Sequence, residues 1–579
     1  MGQTEPVLEA RWGPANNQPA ITAQPRTEDA PDVRRHGSIQ ASLSELEDQA
    51  SRLPFARMMA AYLCLCLCYF TSYLDMNAVT TALPTIANAL EAGPSITWAG
   101  TAYLLGQTVF QPLYGRLSDI VGRKPILLVS VTCIILGGLL CGFAQTPSWL
   151  YAARALSGVG GGGISSCVAI IVSDLVSLRE RGKYQGMISL AIGSGAIAGP
   201  FIAASLVRYP DGWRFTFWIP AILAGLSLIL LLLLLPLKPV AGRWQDKVKK
   251  IDWLGIAASV AGIVLLLVPI SSGGSIWPWR SVYTIPMIII GGLCIIAFAL
   301  YEGYWAKLPI MPWRLFQDRS PAILLAQGAL HDFVWQATQY FIPLYLQNVR
   351  GFTPLRSATL ILPFLAAQSL AGASSGPIMS RSGRYGLVLR VGFILWSLGA
   401  GLKLVFSRTT SLATYVVILT IEGAGSGFVH QPGLVALQAL SRTEDRAVAT
   451  STRNLLRSLG GVAGIAISTA LQYGVTEAAL RARIPWDLVP IVMKGHWQPG
   501  DTATAVLDAL ILDARMKGFQ AVFAMLVPLI TLCLIGSFFV SDKVLKGDEK
   551  QEETSASILS SNREDDMPMQ LGRFSWEKE

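Results

Sequence analysis

Three charge-bearing side chains stand inside stretches that are otherwise apolar: Asp75 in Tyr73-Leu74-Asp75-Met76-Asn77, Arg154 before the run Gly160-Gly161-Gly162-Gly163, and Glu422 in Glu422-Gly423-Ala424-Gly425. An ionised group at the depth of a hydrocarbon core costs several kcal/mol unless it faces a cavity or a partner. Asp75 is therefore functional by default, with a carboxylate locked to a neighbouring helix as the alternative. Glu422 reads as a candidate protonation site or as a satisfied structural carboxylate. Arg154 lies about one turn in from the expected outer boundary, which disfavours simple snorkelling.

A second constellation is polar and aromatic. Asp332, Trp335, Gln336 and Gln339 recur at three- and four-residue spacing, so a helix carries them as one stripe. Facing lipid would be costly, so the stripe is expected to face a pore or partner. Aromatic and amide walls suit bulky, partly apolar substrates. Trp335, Gln336, Gln339 and Tyr340 are read as cavity wall, together with Asn77, Gln431, and Gln107 and Gln111. The last two, one turn apart, could equally bond across a helix interface. Arg453 and Arg457 share a helix face. They could bind an anion, anchor an inner gate or snorkel to phosphates. No nucleophile with suitable spacing accompanies His331 and Asp332, and no metal constellation appears, so an enzyme is not expected.

The elements that must position these groups are long apolar runs. Hydrophobic residues make up 52% of the 579, charged residues 14%, and mean hydropathy is +0.47; a soluble chain carries about 25% charged residues. The chain reads as an all-α polytopic membrane protein. Its net charge of +9 is no nucleic-acid footprint, because the cations sit in short loops, where they orient spans. The eight cysteines fall in apolar runs, and Cys64, Cys66 and Cys68 do not converge on one helix face. Disulfides and a metal site are not expected.

Between runs at roughly 95–114 and 125–145 lies Gly115-Arg116-Leu117-Ser118-Asp119-Ile120-Val121-Gly122-Arg123-Lys124. A tight polar turn between two spans must lie at a membrane surface, and its cations favour the cytoplasmic side. Asp119 can pair with a cation or with backbone N–H groups; Arg123 and Lys124 can reach carboxylates or lipid phosphates. Gly376, Ser380, Gly383 and Arg384 repeat the spacing of Gly115, Asp119, Gly122 and Arg123 between two further apolar runs. Internal repetition of this kind is how many transporters are built.

The Gly115–Lys124 pattern resembles the loop between spans 2 and 3 of major facilitator superfamily transporters. Ile120 stands where that family often has an arginine. Leu74-Asp75 through Leu83-Pro84 resembles the first span of its fourteen-span drug:proton antiporter branch, Asp211-Gly212-Trp213-Arg214-Phe215 resembles a motif before span 6, and the segment from Glu422 through Gln431-Pro432 to Gln438 resembles fungal members. Gly195, Gly199 and Pro200 resemble the motif that accompanies exporters. The resemblance implies two six-helix bundles plus an inserted helix pair, with fourteen transmembrane helices and alternating access. It implies proton exchange at Asp75, coupled to motion through Arg154, and an inner latch at Gly115, Asp119, Gly122, Arg123 and Lys124.

The expected organisation is a disordered cytoplasmic tail (1–56), an N-terminal bundle (57–237), the inserted pair with linkers (238–319), a C-terminal bundle (320–541) and a second tail (542–579). The expected function is proton-coupled export of small amphipathic organic compounds across the plasma membrane, by a monomer in the lipid bilayer. The expected partners are protons and a small-molecule substrate, with no cofactor and no nucleic acid. A vacuolar basic amino-acid transporter, or a non-transporting nutrient sensor, is the alternative.

Overall fold

The computed structural model describes residues 55–176, 178–235, 249, 251–272, 281–306, 308–493 and 505–542. Both expected tails, the cations Lys238, Arg243, Lys247 and Lys250, residues 273–277, Lys307, Trp497 and Pro499 lie outside the described residues, the first tail but for its last two positions and the second but for its first. Fourteen long helices are described: α1 (Phe55–Ala89), α2 (Trp98–Val121), α3 (Arg123–Gly142), α4 (Pro147–Leu175), α5 (Leu178–Leu206), α6 (Phe215–Leu234), α7 (Trp253–Ser272), α8 (Thr284–Tyr304), α9 (Arg319–Asn348), α10 (Leu362–Ser382), α11 (Gly386–Leu402), α12 (Leu412–Leu440), α13 (Arg446–Arg481) and α14 (Ala505–Ser537).

Among the described residues, 12 helices are long and apolar enough to cross a membrane. The two long helices outside that set are α2 and α9. Both are polar for a physical reason: α2 carries Gln107 and Gln111, and α9 carries Gln327, His331, Asp332, Gln336 and Gln339. Boundaries follow local chemistry. Thr146 caps α4, accepting from the Trp149 N–H with Pro147 in the first turn, and Ser411 caps α12 through the Thr414 N–H at 3.1 Å. Gly122, at φ 120°, makes the break between α2 and α3 that a side chain would resist. Pro84 sits inside α1 without ending it.

The helices form two bundles with the same pairing. In the first, α1 packs on α5 and α6, α2 on α4, and α3 on α4 and α6; in the second, α9 packs on α13 and α14, α10 on α12, and α11 on α12 and α14. Each has its own core. Leu65, Leu127, Ile171 and Ile188 sit in the first, and Phe341, Phe364, Phe393, Trp396 and Phe523 in the second. The glycine runs do equivalent work in the two halves. A Cβ on Gly158 would lie 2.0 Å from the Tyr103 carbonyl oxygen, and one on Gly423 2.2 Å from that of Phe364, so in each bundle two backbones meet where only glycine fits. The inserted helices α7 and α8 pack on each other and reach the bundles through Val109, Ile263, Leu267 and Leu455.

The bundles meet along α5–α10 and α2–α13. A Cβ on Gly115 would lie 2.6 Å from Ser451 Oγ, and one on Gly376 2.2 Å from the Gly182 carbonyl oxygen. The two copies of the repeated motif thus perform one task by pseudo-symmetry. Each brings a second helix against the start of the other bundle's fifth. These contacts lie toward the ends of the helices that bear the Gly122 and Gly383 turns, so the structure is closed at that end.

Candidate functional site

Between the bundles lies a cavity in which water centres can reach about 140 Å³, roughly ten times the room one buried water needs. Asn77, Gln107, Gln111, Trp335, Gln336, Gln339 and Gln431 all line it. Gln111 does both jobs open to it. Its Nε2 donates to Ser165 Oγ (3.3 Å), and its Oε1 accepts from Ser458 Oγ of the opposite bundle (2.9 Å), so it ties the bundles beneath the cavity. Trp335 Nε1 donates to Gln368 Oε1 at 3.1 Å, and Gln368 donates on to Ser426 Oγ at 3.2 Å, which fixes the indole wall. Tyr340 is a correction. It lies 48% exposed, off the wall, because it stands about 80° around the helix from Asp332 and two turns on.

Sequence reasoning placed less weight on the most polar wall, from α13. Arg453, Asn454, Arg457 and Ser458 border the cavity. Arg457 clasps Asp332 Oδ1 at 2.5 Å, and Arg453 donates to the His430 carbonyl oxygen at 2.8 Å. Both arginine stems run past Gly328, whose missing side chain leaves the space. Their helical spacing was the available signal; snorkelling to phosphates is excluded for Arg453, only 4% exposed in the interior. His331, neighbour of Asp332, points away and stacks edge-on against Trp396 with ring centroids 4.6 Å apart.

Asp75 and Arg154 do not border the cavity, contrary to the expectation that their charges touch a water-filled path. Both are 1% exposed and bonded to each other at 2.9 Å. Arg154 Nε also donates to the Ala99 carbonyl oxygen, and its guanidinium lies 4.5 Å from the Tyr103 ring centroid. One oxygen, Asp75 Oδ1, is buried without a hydrogen-bond partner. Tyr73, Met76 and Asn77, neighbours on the same helix, do reach the cavity, so Asp75 sits one face behind it. Glu422, read as a protonation site or a structural carboxylate, is likewise paired. It is fully buried and paired with Lys403 Nζ at 2.6 Å, with Thr338 bridging, away from the cavity. The expectation missed Lys403 because the pair joins the end of α11 to the interior of α12, 19 positions on.

At the closed end, Arg123 pairs with Asp119, donates to Asp174 Oδ2 at 3.1 Å and to Ser118 Oγ at 3.0 Å, joining α2, α3 and α4. Lys124 forms no ion pair with a carboxylate among the described residues. Its Nζ donates to the Leu235 carbonyl oxygen at 2.7 Å, capping α6. Arg116 donates to the Pro309 carbonyl oxygen (2.6 Å), and Arg314 pairs with Asp445 (2.5 Å), stitching the linker after α8 to both bundles. Gly195 and Gly199 of α5 bring it against α1: a Cβ there would lie 2.4 Å from the Phe70 and 2.8 Å from the Leu74 carbonyl oxygen. Pro200 is carried inside the same helix. Trp213 is 1% exposed, a core residue, and Glu302 is buried and accepts from the Met311 N–H.

The closed end gives a direct test. Overpacking costs about 1–3 kcal/mol, and Gly115→Val pushes a side chain into Ser451 and the Ala447 carbonyl oxygen. We expect the conformational equilibrium to move away from the closed-end state by about tenfold or more. The measurement is the labelling rate of a Ser458→Cys background by an impermeant maleimide added from the loop side. An unchanged rate refutes the assignment of this contact as the closure.

A family model described as Major Facilitator Superfamily matches residues 65–465. Citrate exporter 1 of Yarrowia lipolytica (strain CLIB 122 / E 150) is 37% identical over 523 residues, covering 90% of this chain and 78% of that protein. Efflux pump dotC of Dothistroma septosporum (strain NZE10 / CBS 128990) is 34% identical over 406 residues, 70% of each chain. Among solved structures, the human organic anion transporter MFSD10 (TETRAN) superposes with a TM-score of 0.56 at 14% identity, over 84% of this chain and 100% of that one, a likeness of fold.

Proposed function

The chain belongs to the major facilitator superfamily, a family of multi-pass membrane transporters rather than enzymes, and from that premise we propose that it exports small organic compounds by proton-coupled alternating access. The observation that carries this reading is the cavity between two pseudo-symmetric bundles, closed at one end by paired glycine contacts. Rocking about such a site exposes it alternately to either face. The basic loops put the closed end at the cytoplasm, so the described conformation faces outward. All fourteen long helices cross the membrane in this reading, α2 and α9 shielded by their neighbours. Asp75 exchanges protons, Arg154 couples its charge to helix motion, and the Asp119–Arg123 pair latches the inner end. The relatives' names, a citrate exporter and an efflux pump, support export over an amino-acid transport role, and in this reading the export crosses the plasma membrane.

The test uses the full chain in proteoliposomes with an imposed pH gradient and a panel of radiolabelled organic acids, neutral amphiphiles and basic amino acids. At least one of the first two classes is expected to move against its gradient when protons flow the other way, and collapse of the pH gradient is expected to abolish that movement. Flux indifferent to the pH gradient removes proton coupling. Movement of basic amino acids alone turns the assignment to the vacuolar alternative.

A further inference from the structure

The titratable side chains on the cavity wall are Tyr69, Tyr73, Asp332, His430, Arg453 and Arg457. With the tyrosines and histidine neutral, two guanidinium groups face one carboxylate. Asp332 is committed to Arg457 at 2.5 Å, whereas Arg453 forms no ion pair among the described residues and donates to the neutral His430 carbonyl oxygen. A cation 96% withdrawn from solvent, without an ion-pair partner of its own, is costly. The cost is recovered when a mobile anion enters. The neighbours are suited to hold one: Asn454 and Gln336 line the same cavity and carry amide N–H donors, while Trp335 and Leu434 supply apolar surface.

We propose that the transported compound is an organic anion whose carboxylate binds Arg453, and that Asp332 sets how many negative charges the site accepts by neutralising Arg457. This rests on the transport reading above and names its substrate class. The guanidinium offers a planar two-point contact to a carboxylate that lysine cannot copy. With Asp332 in place the wall carries one unbalanced positive charge. Asp332→Asn frees Arg457 and raises that to two, which favours more highly charged acids.

The test measures binding to the purified full chain by isothermal titration, with succinate, citrate and trimethyl citrate as probes. The acids are expected to bind the wild type and the neutral ester to bind at least about tenfold more weakly, the scale of one charged contact. Arg453→Gln is expected to weaken acid binding about tenfold or more, and Arg453→Lys by less. Asp332→Asn is expected to raise the preference for citrate over succinate. Ester binding equal to that of the acid, or a citrate preference in Asp332→Asn that is unchanged or lower, overturns the proposal. The acid-against-ester comparison needs no variant, so a misfolded mutant does not rescue the idea. If neutral amphiphiles are transported while acids neither bind nor move, the anion assignment fails and the transport reading stands; if no member of either class moves, the transport reading itself fails.

Discussion

Asp75→Ala is expected to destabilise the protein by about 3–5 kcal/mol, the usual effect of stranding one member of a buried ion pair. Arg154 would be left 1% exposed, with the Ala99 carbonyl and the Tyr103 and Phe217 rings as its neighbours. Thermal melting in detergent reads this directly. The loss of stability alone does not separate a structural pair from a coupling pair. The double variant Asp75→Asn with Arg154→Gln does, because it removes both charges while keeping shape. Melting is expected to return toward the wild-type value, and flux to lose its response to the pH gradient. Recovery of both would make the pair a structural lock. The unpartnered Asp75 Oδ1 is where a proton would sit, and its position one face behind the cavity implies that the proton reaches it only when α1 shifts against α4.

Lys403→Met is expected to cost about as much, about 3–5 kcal/mol, by leaving Glu422 fully buried beside an apolar chain. Here the rescue has the opposite functional outcome. Lys403→Met with Glu422→Gln removes both charges, and buried pairs replaced by neutral groups are often neutral or stabilising by about 1–4 kcal/mol. Transport and its pH response are expected to persist, since neither residue borders the cavity and neither, unlike Asp75 beside Met76, adjoins a cavity-lining residue in the chain. Loss of proton response in a well-folded double variant would restore Glu422 as a coupling site. The two bundles then differ in chemistry: the first carries a carboxylate–guanidinium pair whose carboxylate adjoins the cavity-lining Met76, the second a carboxylate–ammonium pair bridged by Thr338.

The helices, the glycine-spaced crossings and the repeated loop motif were legible because each is local. A run of apolar residues, a cap and a Gly spaced by turns are properties of neighbours in sequence. Stripe membership was legible too: Trp335, Gln336 and Gln339 line one wall because helical periodicity requires them to. Tyr340 failed for the same reason, since adjacency in sequence is not adjacency on a helix face. Which charge meets which was not legible. Asp332 and Arg457 are 125 positions apart, Asp75 and Arg154 79 apart, and no local rule selects among the cations available to each.

By itself the sequence determined that this chain spans a membrane as helices, that its halves echo one another and that ionisable groups lie at depth, because hydropathy and periodicity act over a few turns. Only tertiary packing decided which of those groups are silenced by partners and which face the cavity. A charge in a low-dielectric interior is governed by whatever lies within a few ångströms of it, and here those neighbours come from other helices.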